Sequence, residues 1–378
     1  MNRKKVVFLT GTRADYGKMK PLMLALEKND NFDVYIFICG MHLLEKFGST
    51  YMEVLKDGYK NIYVAYGLSQ TQDSSVNLGN TITHLSGYVD NIKPDMIVVH
   101  GDRMDALAGA VVGALHNVIV AHIEGGELSG TIDESIRHAI SKFAHIHFVC
   151  NNEAKNRLIQ LGEEKNRIFV IGSPDIDVMM SNNLPTMEVV RDKYNIMFDN
   201  YGILMYHPVT TEYDVVDINI KAVVDAVMDS GKKMVVVYPN NDLGSEIILK
   251  EYKRLNDNPN FLVFPSLRFE CFLTLLKNSD FIIGNSSAGI RESGIYGVPA
   301  IDIGTRQSGR YSTSGVTNIQ HVFEDVDSIL EAINRVKEYH ISDFSYGEGN
   351  SVEKFIDIVT PNEFWNIEIQ KRFVDYDM

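Results

Sequence analysis

The chain has 378 residues, enough for two domains of ordinary size. Its 45% hydrophobic and 23% charged residues describe a globular chain, and a net charge of −14 argues against a general binder of nucleic acid or of anionic membrane. No segment approaches the ~18 apolar residues of a membrane span, and the apolar run after Lys5 is too short for a secretory leader. Cys39, Cys150 and Cys271 sit in or beside apolar segments without metal-ligand spacing, so buried thiols in a reducing, cytoplasmic setting are expected.

In chain order, apolar runs alternate with helical patterns. Strand 6–10 (VVFLT) precedes a helix over 16–29, and strand 32–39 precedes a helix over 43–55. A short strand at 62–65 and a polar loop lead to a helix over 77–92. Strand 95–99 is followed by an Ala- and Gly-rich helix over 104–116, a composition that suits close packing on a sheet. Strand 118–123, a helix over about 132–143 and strands 146–150 and 168–171 follow. The second half repeats the style, with strands at 202–206, 234–238, 261–264, 281–283 and 300–303 and helices between. The Asn-, Ser- and Pro-rich stretch 172–185 (GSPDIDVMMSNNLP) marks the break.

Repeated βα units imply parallel, doubly wound sheets. The pattern predicts an α/β protein of two Rossmann-like domains facing a central cleft, over 1–174 and 175–356. Residues 361–376 have the spacing of an amphipathic helix, so 357–378 is expected to form a C-terminal helix returning to the first domain.

Ligands of parallel α/β sheets bind beyond the carboxyl ends of strands. Strand 95–99 empties into Gly-Asp-Arg and strand 118–123 into Glu-Gly-Gly-Glu, with more acids just before the next helix. Asp102, Glu124, Glu127 and Asp133 are therefore candidates to line one cleft, and such a cluster suits acid/base chemistry or stabilisation of a cation. Glu134 and His138 fall on the following helix, where capping or packing is an equal reading.

Two loops have the character of anion sites. TGTRADYGK (10–18) follows the first strand and opens a helix, with Arg13 and Lys18 adding positive charge; its glycine spacing fits neither a dinucleotide fingerprint nor a P-loop. GNSSAGIRE (284–292) follows another strand. Ser286, Ser287 and the free amides of a helix start suit a diphosphate, and Glu292 could accept from ribose hydroxyls. Arg306 in the next strand-end loop, GTRQSGR, could reach the same anion. One such loop per domain suggests a nucleoside diphosphate held across the cleft. His42 follows the second strand, at a loop toward the cleft, and His207 follows strand 202–206. His145 and His147 share one strand face, but the histidine spacings match no ligand set and no metal is expected.

Together these pieces resemble the hydrolysing UDP-N-acetylglucosamine 2-epimerases of bacterial sialic acid biosynthesis. The matching motifs are TGTRADYGK, GMHLLEKFGSTY, VVHGDRMDALAGA, HIEGGELSGTIDESIRHAISKFAHIHF, IGSPDIDVM, YHPVTTE, YPNNDLGSE, GNSSAGIRE and GTRQSGR, with WNIEIQKRFVD at the end. The resemblance covers nearly the whole chain, and its most specific part is the stretch 122–148. It implies a glycosyltransferase B type fold, no cofactor, and cleavage of UDP-GlcNAc by water to N-acetylmannosamine and UDP. A diacetamido trideoxy sugar carried on UDP, feeding legionaminic-type acids, is the alternative substrate. A homodimer is the family expectation, with a tetramer as the alternative.

The C2 proton of the sugar becomes removable only as the bond from C1 to UDP breaks and C1 gains cationic character. A site for this must stabilise both the departing diphosphate and the ring, and must handle protons on two faces. The resemblance assigns Asp102, Glu124 and Asp133 to proton handling, without deciding which is base and which acid, and makes His207 a substrate-contacting group able to protonate the leaving group. It also implies substrate or UDP contacts for Arg103, Asn240, Gly17 and the backbone at Phe264. A glycosyltransferase on the same fold and a non-catalytic UDP-sugar sensor are the competing readings. The first would release UDP only with an acceptor, and the second has no use for several carboxylates.

Overall fold

The computed structural model describes residues 3–66, 73–311 and 317–375. The chain divides into two compact units, one formed by Met1–Glu127, Asp133–Met180 and Tyr346–Met378, the other by Leu128–Ile132 and Ser181–Ser345.

In the first unit the elements run β1 (Lys4–Thr10), α1 (Arg13–Glu27), β2 (Phe32–Ile38), α2 (Tyr51–Lys56), β3 (Asn61–Val64), α3 (Ser74–Ile92), β4 (Met96–His100), α4 (Met104–Leu115) and β5 (Ile119–Ile123). They continue as α5 (Ile132–Phe143), β6 (Ile146–Val149), α6 (Asn152–Gln160), β7 (Ile168–Val170) and α7 (Pro174–Met180). The strands form one sheet in the order β3-β2-β1-β4-β5-β6-β7, every pairing parallel. β4 and β5 are buried at every residue, as strands covered on both faces must be. α4 lies close because it has glycines where it meets the sheet. A Cβ on Gly109 would stand 2.6 Å from Val99, and one on Gly113 2.4 Å from Val120.

In the second unit α8 (Met187–Tyr194) precedes β8 (Gly202–Met205), α9 (Val216–Asp229), β9 (Met234–Val237), α10 (Ser245–Tyr252), β10 (Phe261–Phe264) and α11 (Phe269–Lys277). β11 (Phe281–Gly284), α12 (Glu292–Ile295), β12 (Ala300–Ile303), β13 (Ile319–Val322) and α13 (Val326–Asn334) complete it. Its sheet runs β10-β9-β8-β11-β12-β13, again all parallel. In both sheets the strand order reverses beside the first strand of the unit, between β1 and β4 and between β8 and β11. Crevices for ligands open at the carboxyl ends of such strands.

α14 (Ser351–Val359) belongs with the first unit. Its Phe355 and Val359 share a core with Met19, Leu22, Met23 and Leu26 of α1. Its first amides, on Ser351 and Val352, donate to the Asp177 carboxylate of α7 at 2.9 and 2.8 Å. That cap explains why α7, inside the stretch read as a break, folds with the first unit.

Several elements differ from the sequence reading. α1 starts three residues early because Thr12 and Asp15 form a reciprocal capping box. No helix spans 43–55. Two short 3₁₀ turns, Gly40–Leu43 and Glu45–Phe47, lead to Gly48 at φ +88° and Ser49 at φ +47°, outside the helical region, and α2 begins only at Tyr51. β13 was not anticipated, since its two middle residues, Gln320 and His321, are polar.

The expected helix over 361–376 is also absent. One 3₁₀ turn, Asn362–Trp365, is followed by irregular chain to Asp375, and Tyr376 lies outside the described residues. Carbonyls there accept from distant side chains, Glu368 from Arg167 and Ile369 from His145, each at 3.0 Å, in place of amides four residues on. Among the described residues no helix is long and apolar enough to cross a membrane.

Candidate active site

The carboxylates converge on a residue that the motif reading passed over. Arg137, on α5, is 1% exposed. One Nη2 proton goes to Asp102 Oδ2 in a short ion pair, and Nη1 donates to the Glu127 carbonyl at 3.1 Å. Burial works against its charge, but the negative fields of Asp102, Glu127, Glu124 and Asp133 outweigh that and hold its pKa above the ordinary arginine value. The four acids read from the strand ends therefore all act electrostatically on one buried guanidinium, and Asp102 pairs with it directly.

Asp102 stands just after β4, following Gly101, whose φ of +73° turns the chain off the strand end. The Gly101 carbonyl accepts from His122 Nε2 at 2.7 Å, and His122 Nδ1 accepts from the Ser141 hydroxyl at 3.0 Å. Glu124 leaves β5 at φ +64°, a left-handed conformation that costs a side-chain-bearing residue energy and aims its carboxylate inward. Its Oε1 accepts from Ser173 Oγ at 2.9 Å and lies 3.2 Å from His100 Nε2 and 3.7 Å from Lys18 Nζ. Asp133 opens α5, one turn before Arg137. Glu134 lies one turn before His138, at 3.8 Å.

Lys18 and His42 are both buried. Lys18 is buried on α1, with Nζ 3.3 Å from Asp175 as well as facing Glu124, so its charge balances carboxylates. His42 is fully buried, its Nε2 3.0 Å from the Thr10 hydroxyl and its Nδ1 2.6 Å from that of Thr50. Both ring nitrogens are thereby occupied within the core. Arg13, at the start of α1, pairs with Glu53 at 2.8 Å, and Gly17 lies on the buried side of the same helix. Arg103 precedes α4, with Nη2 4.0 Å from Met41 Sδ.

The buried histidines give the first unit a pH response. Burial pushes His42 down to about 4, His122 to about 3 and His145 to about 4, from an unfolded value of 6.5. Above 6.5 both folded and unfolded forms are neutral, and the folded state keeps its full stability. Below 6.5 the unfolded chain takes up protons that the folded chain refuses, so stability falls until pH reaches the folded values. Urea titrations between pH 7 and pH 4 are expected to show a loss of roughly 1.4 kcal/mol per pH unit for each such histidine. A flat profile over that interval would contradict their neutral burial.

In the second unit β8 and β11 bring two loops together. Asn285 clamps them, its Oδ1 accepting from the His207 amide at 2.6 Å and its Nδ2 donating to the His207 carbonyl at 2.8 Å. The amide of Asn240, at the end of β9, donates to His207 Nδ1 at 3.0 Å, so the neutral ring carries its proton on Nε2. Gly284 closes β11 at φ +129°, where a Cβ would lie 2.0 Å from the Met205 carbonyl, and no other residue fits. Ser286 accepts from the Ala288 amide at 3.3 Å and so starts the turn that carries Ser287. Glu292 and Arg291 are buried behind it, at 3% and 2% exposure.

Arg306 Nη1 and Gln307 Nε2 both reach the Asn285 carbonyl, at 3.3 and 2.7 Å. The chain between Glu127 and Asp133 also belongs to this unit. Gly130 N–H donates to the Arg306 carbonyl at 3.0 Å, and Arg310 Nε donates to the Leu128 carbonyl at 2.8 Å. Phe264 ends β10 with its ring edge-on to Tyr194 at 5.5 Å. Among the described residues, no group of three or more His, Cys, Asp and Glu is placed to hold a metal ion.

Known proteins resemble this chain in sequence and fold. The family model described as UDP-N-acetylglucosamine 2-epimerase matches residues 24–360. A UDP-N-acetylglucosamine 2-epimerase of Neisseria meningitidis serogroup B is 45% identical over 377 residues, covering 99% of this chain and 100% of that protein. A hydrolyzing UDP-N,N'-diacetylbacillosamine 2-epimerase of Legionella pneumophila is 32% identical over 93% of this chain and 94% of its own length. The crystal structure of the Methanocaldococcus jannaschii UDP-GlcNAc 2-epimerase in complex with UDP-GlcNAc and UDP superposes with a TM-score of 0.81 at 26% identity, covering 94% of this chain and 99% of that one. The two all-parallel sheets are thus those of the glycosyltransferase B-like epimerase fold. Matched over most of its length by the family model and over nearly all of it by a relative at 45% identity, the chain belongs to the UDP-N-acetylglucosamine 2-epimerase family.

Proposed function

We propose that this protein is the hydrolysing form of the enzyme, converting UDP-GlcNAc and water to N-acetylmannosamine and UDP, the sugar that sialic acid synthesis consumes. The observation that carries the reading is the set of carboxylates acting on the buried Arg137, which gives candidate acid/base groups a common partner in the first unit. The hydrolyzing Legionella relative and the higher identity to the Neisseria UDP-GlcNAc enzyme support the reaction type and the substrate respectively.

In the first half-reaction a carboxylate among Asp102, Glu124 and Asp133 takes the C2 proton. The electron pair of that C–H bond becomes the C1–C2 double bond, and the C1–O bond breaks, its electrons leaving on UDP. In the second, water adds its oxygen to C1 of the glycal and gives up one proton to a basic group of the site, while a proton returns to C2 from the opposite face, which inverts that centre. His207, protonated on Nε2, is suited to give a proton to the departing phosphate. Ser286, Ser287, Arg306 and the amides of their loops are suited to hold the diphosphate, Glu292 the ribose, and Asn240 and the Phe264 backbone other parts of the nucleotide. Arg13, Gly17 and Arg103 remain substrate-side proposals from the first unit, whereas Lys18 and His42 are assigned to charge balance and packing beneath it. The proposed assembly is a cytoplasmic homodimer that needs no cofactor.

Incubation with UDP-GlcNAc in deuterated water tests the reading. NMR should show UDP together with N-acetylmannosamine carrying deuterium at C2. Accumulation of UDP-ManNAc would assign the non-hydrolysing reaction instead, and UDP release only with an added sugar acceptor would assign a transferase. Side-by-side kcat/KM values for UDP-GlcNAc and the UDP-linked diacetamido sugar should favour the former.

A further inference from the structure

Three side chains of α5 stand one turn apart on one face, and all three serve the carboxylate centre. Asp133 is one of its acids, Arg137 grips Asp102, and Ser141 orients His122, which in turn holds the Gly101 carbonyl. The position of α5 along its own axis therefore sets where Asp102 is held.

That axial position is fixed from the far end of the chain. α5 stops at Phe143, and the carbonyls of its last turn need partners from outside the helix. Lys371 Nζ donates to the Ser141 carbonyl at 3.0 Å and to that of Lys142 at 2.9 Å. Its third bond goes to Glu163 Oε2 at 2.6 Å, so all three donors of the ammonium are used. Glu163, 3% exposed, also takes His147 Nε2 at 3.1 Å and Lys142 Nζ at 2.8 Å.

The tail that delivers Lys371 is tied at both sides. Before the lysine, Arg167 and His145 hold the carbonyls of Glu368 and Ile369. Beyond it, the Val374 amide donates to the Gly162 carbonyl at 3.2 Å. Phe373 lies over Gly162 so closely that a Cβ there would stand 2.6 Å from the ring.

We propose that Lys371 is a positioning residue for the carboxylate centre: by seating its ammonium on the last carbonyls of α5, the C-terminal tail holds Arg137 and Ser141, and through them Asp102, in working register. The proposal rests on the proton-handling role given to Asp102.

The test compares Lys371→Met and Lys371→Arg with the parent enzyme. The Met variant is expected to lose about tenfold in kcat with KM within about twofold, a fraction of the ~10²-fold that a 1 Å misplacement can cost, and the Arg variant to recover most of the loss. Hydrogen exchange gives a readout independent of turnover. Peptides over 99–105 should exchange faster in the Met variant, along with those over 139–143. Parent-level kcat in the Met variant, a loss that falls on KM, or unchanged exchange at 99–105 would overturn the proposal, as would failure of both variants to fold, which would make the lysine structural. If the parent enzyme itself releases no UDP, the proposed reaction fails while the exchange result still decides the role of Lys371.

Discussion

Asp102→Asn is expected to abolish UDP release while leaving the affinity for UDP within a few-fold of the parent. The substitution keeps the size of the side chain and one oxygen facing Arg137, but removes the negative charge and the ability to take a proton. Loss of a positioned acid/base group costs typically 10²–10⁴-fold in rate. The proposed UDP contacts lie in the other unit, on the loops after β8, β9, β11 and β12, so binding of the product nucleotide should be nearly untouched. Phosphorus NMR of the reaction and calorimetric titration with UDP measure the two quantities separately. A fully active Asp102→Asn protein would take the residue out of the mechanism.

Arg137→Met is expected to be the most damaging single change to stability in the first unit. It removes a buried positive charge that acts on Asp102, Glu124, Glu127 and Asp133, and it takes a donor from the Glu127 carbonyl. Breaking a buried ion pair from one side costs about 3–5 kcal/mol because the partner stays behind uncompensated. Urea unfolding should show that loss, and turnover should vanish. Arg137→Lys restores the charge but cannot bond Asp102 and the Glu127 carbonyl through two separate nitrogens, so it should recover stability better than activity. Combined with Asp102→Asn, the Met variant should be less destabilised than the sum of the single changes, since the two groups interact directly. Strict additivity would mean that the short Arg137–Asp102 contact contributes nothing.

The alternation of strands and helices was legible because parallel strands buried on both faces read as unbroken apolar runs, β4 and β5 most clearly. The strand-end acids were legible for the same reason, since a polar residue directly after such a run has to emerge at the sheet's carboxyl edge. Arg137 was not. It sits between Ile136 and Ile140 in an ordinary amphipathic pattern, where an arginine normally reaches solvent. Its signal was the four-residue spacing from Asp133 and again to Ser141. The burial of Lys18 and His42 was not legible, because charge and ring nitrogens are visible in a sequence while the direction they face is not. Once the Thr12 cap starts α1 at Arg13, Lys18 falls on the helix face turned inward. The tail after Trp365 shows the opposite failure, a helical period whose carbonyls are claimed by His145 and Arg167 from elsewhere.

The chain passes from one unit to the other after Glu127, back at Asp133, out again after Met180 and home at Tyr346. During synthesis this has a direct result. All thirteen strands of the described residues precede Phe355, Val359 and Lys371 in the chain and so emerge from the ribosome before them. The second unit, whose last residues end at Ser345, can close while the first still lacks part of its core and the clamp on α5. The half of the molecule begun first is thus finished last, and a nascent chain stalled before Tyr346 would display an open apolar flank along α1 for chaperones to cover.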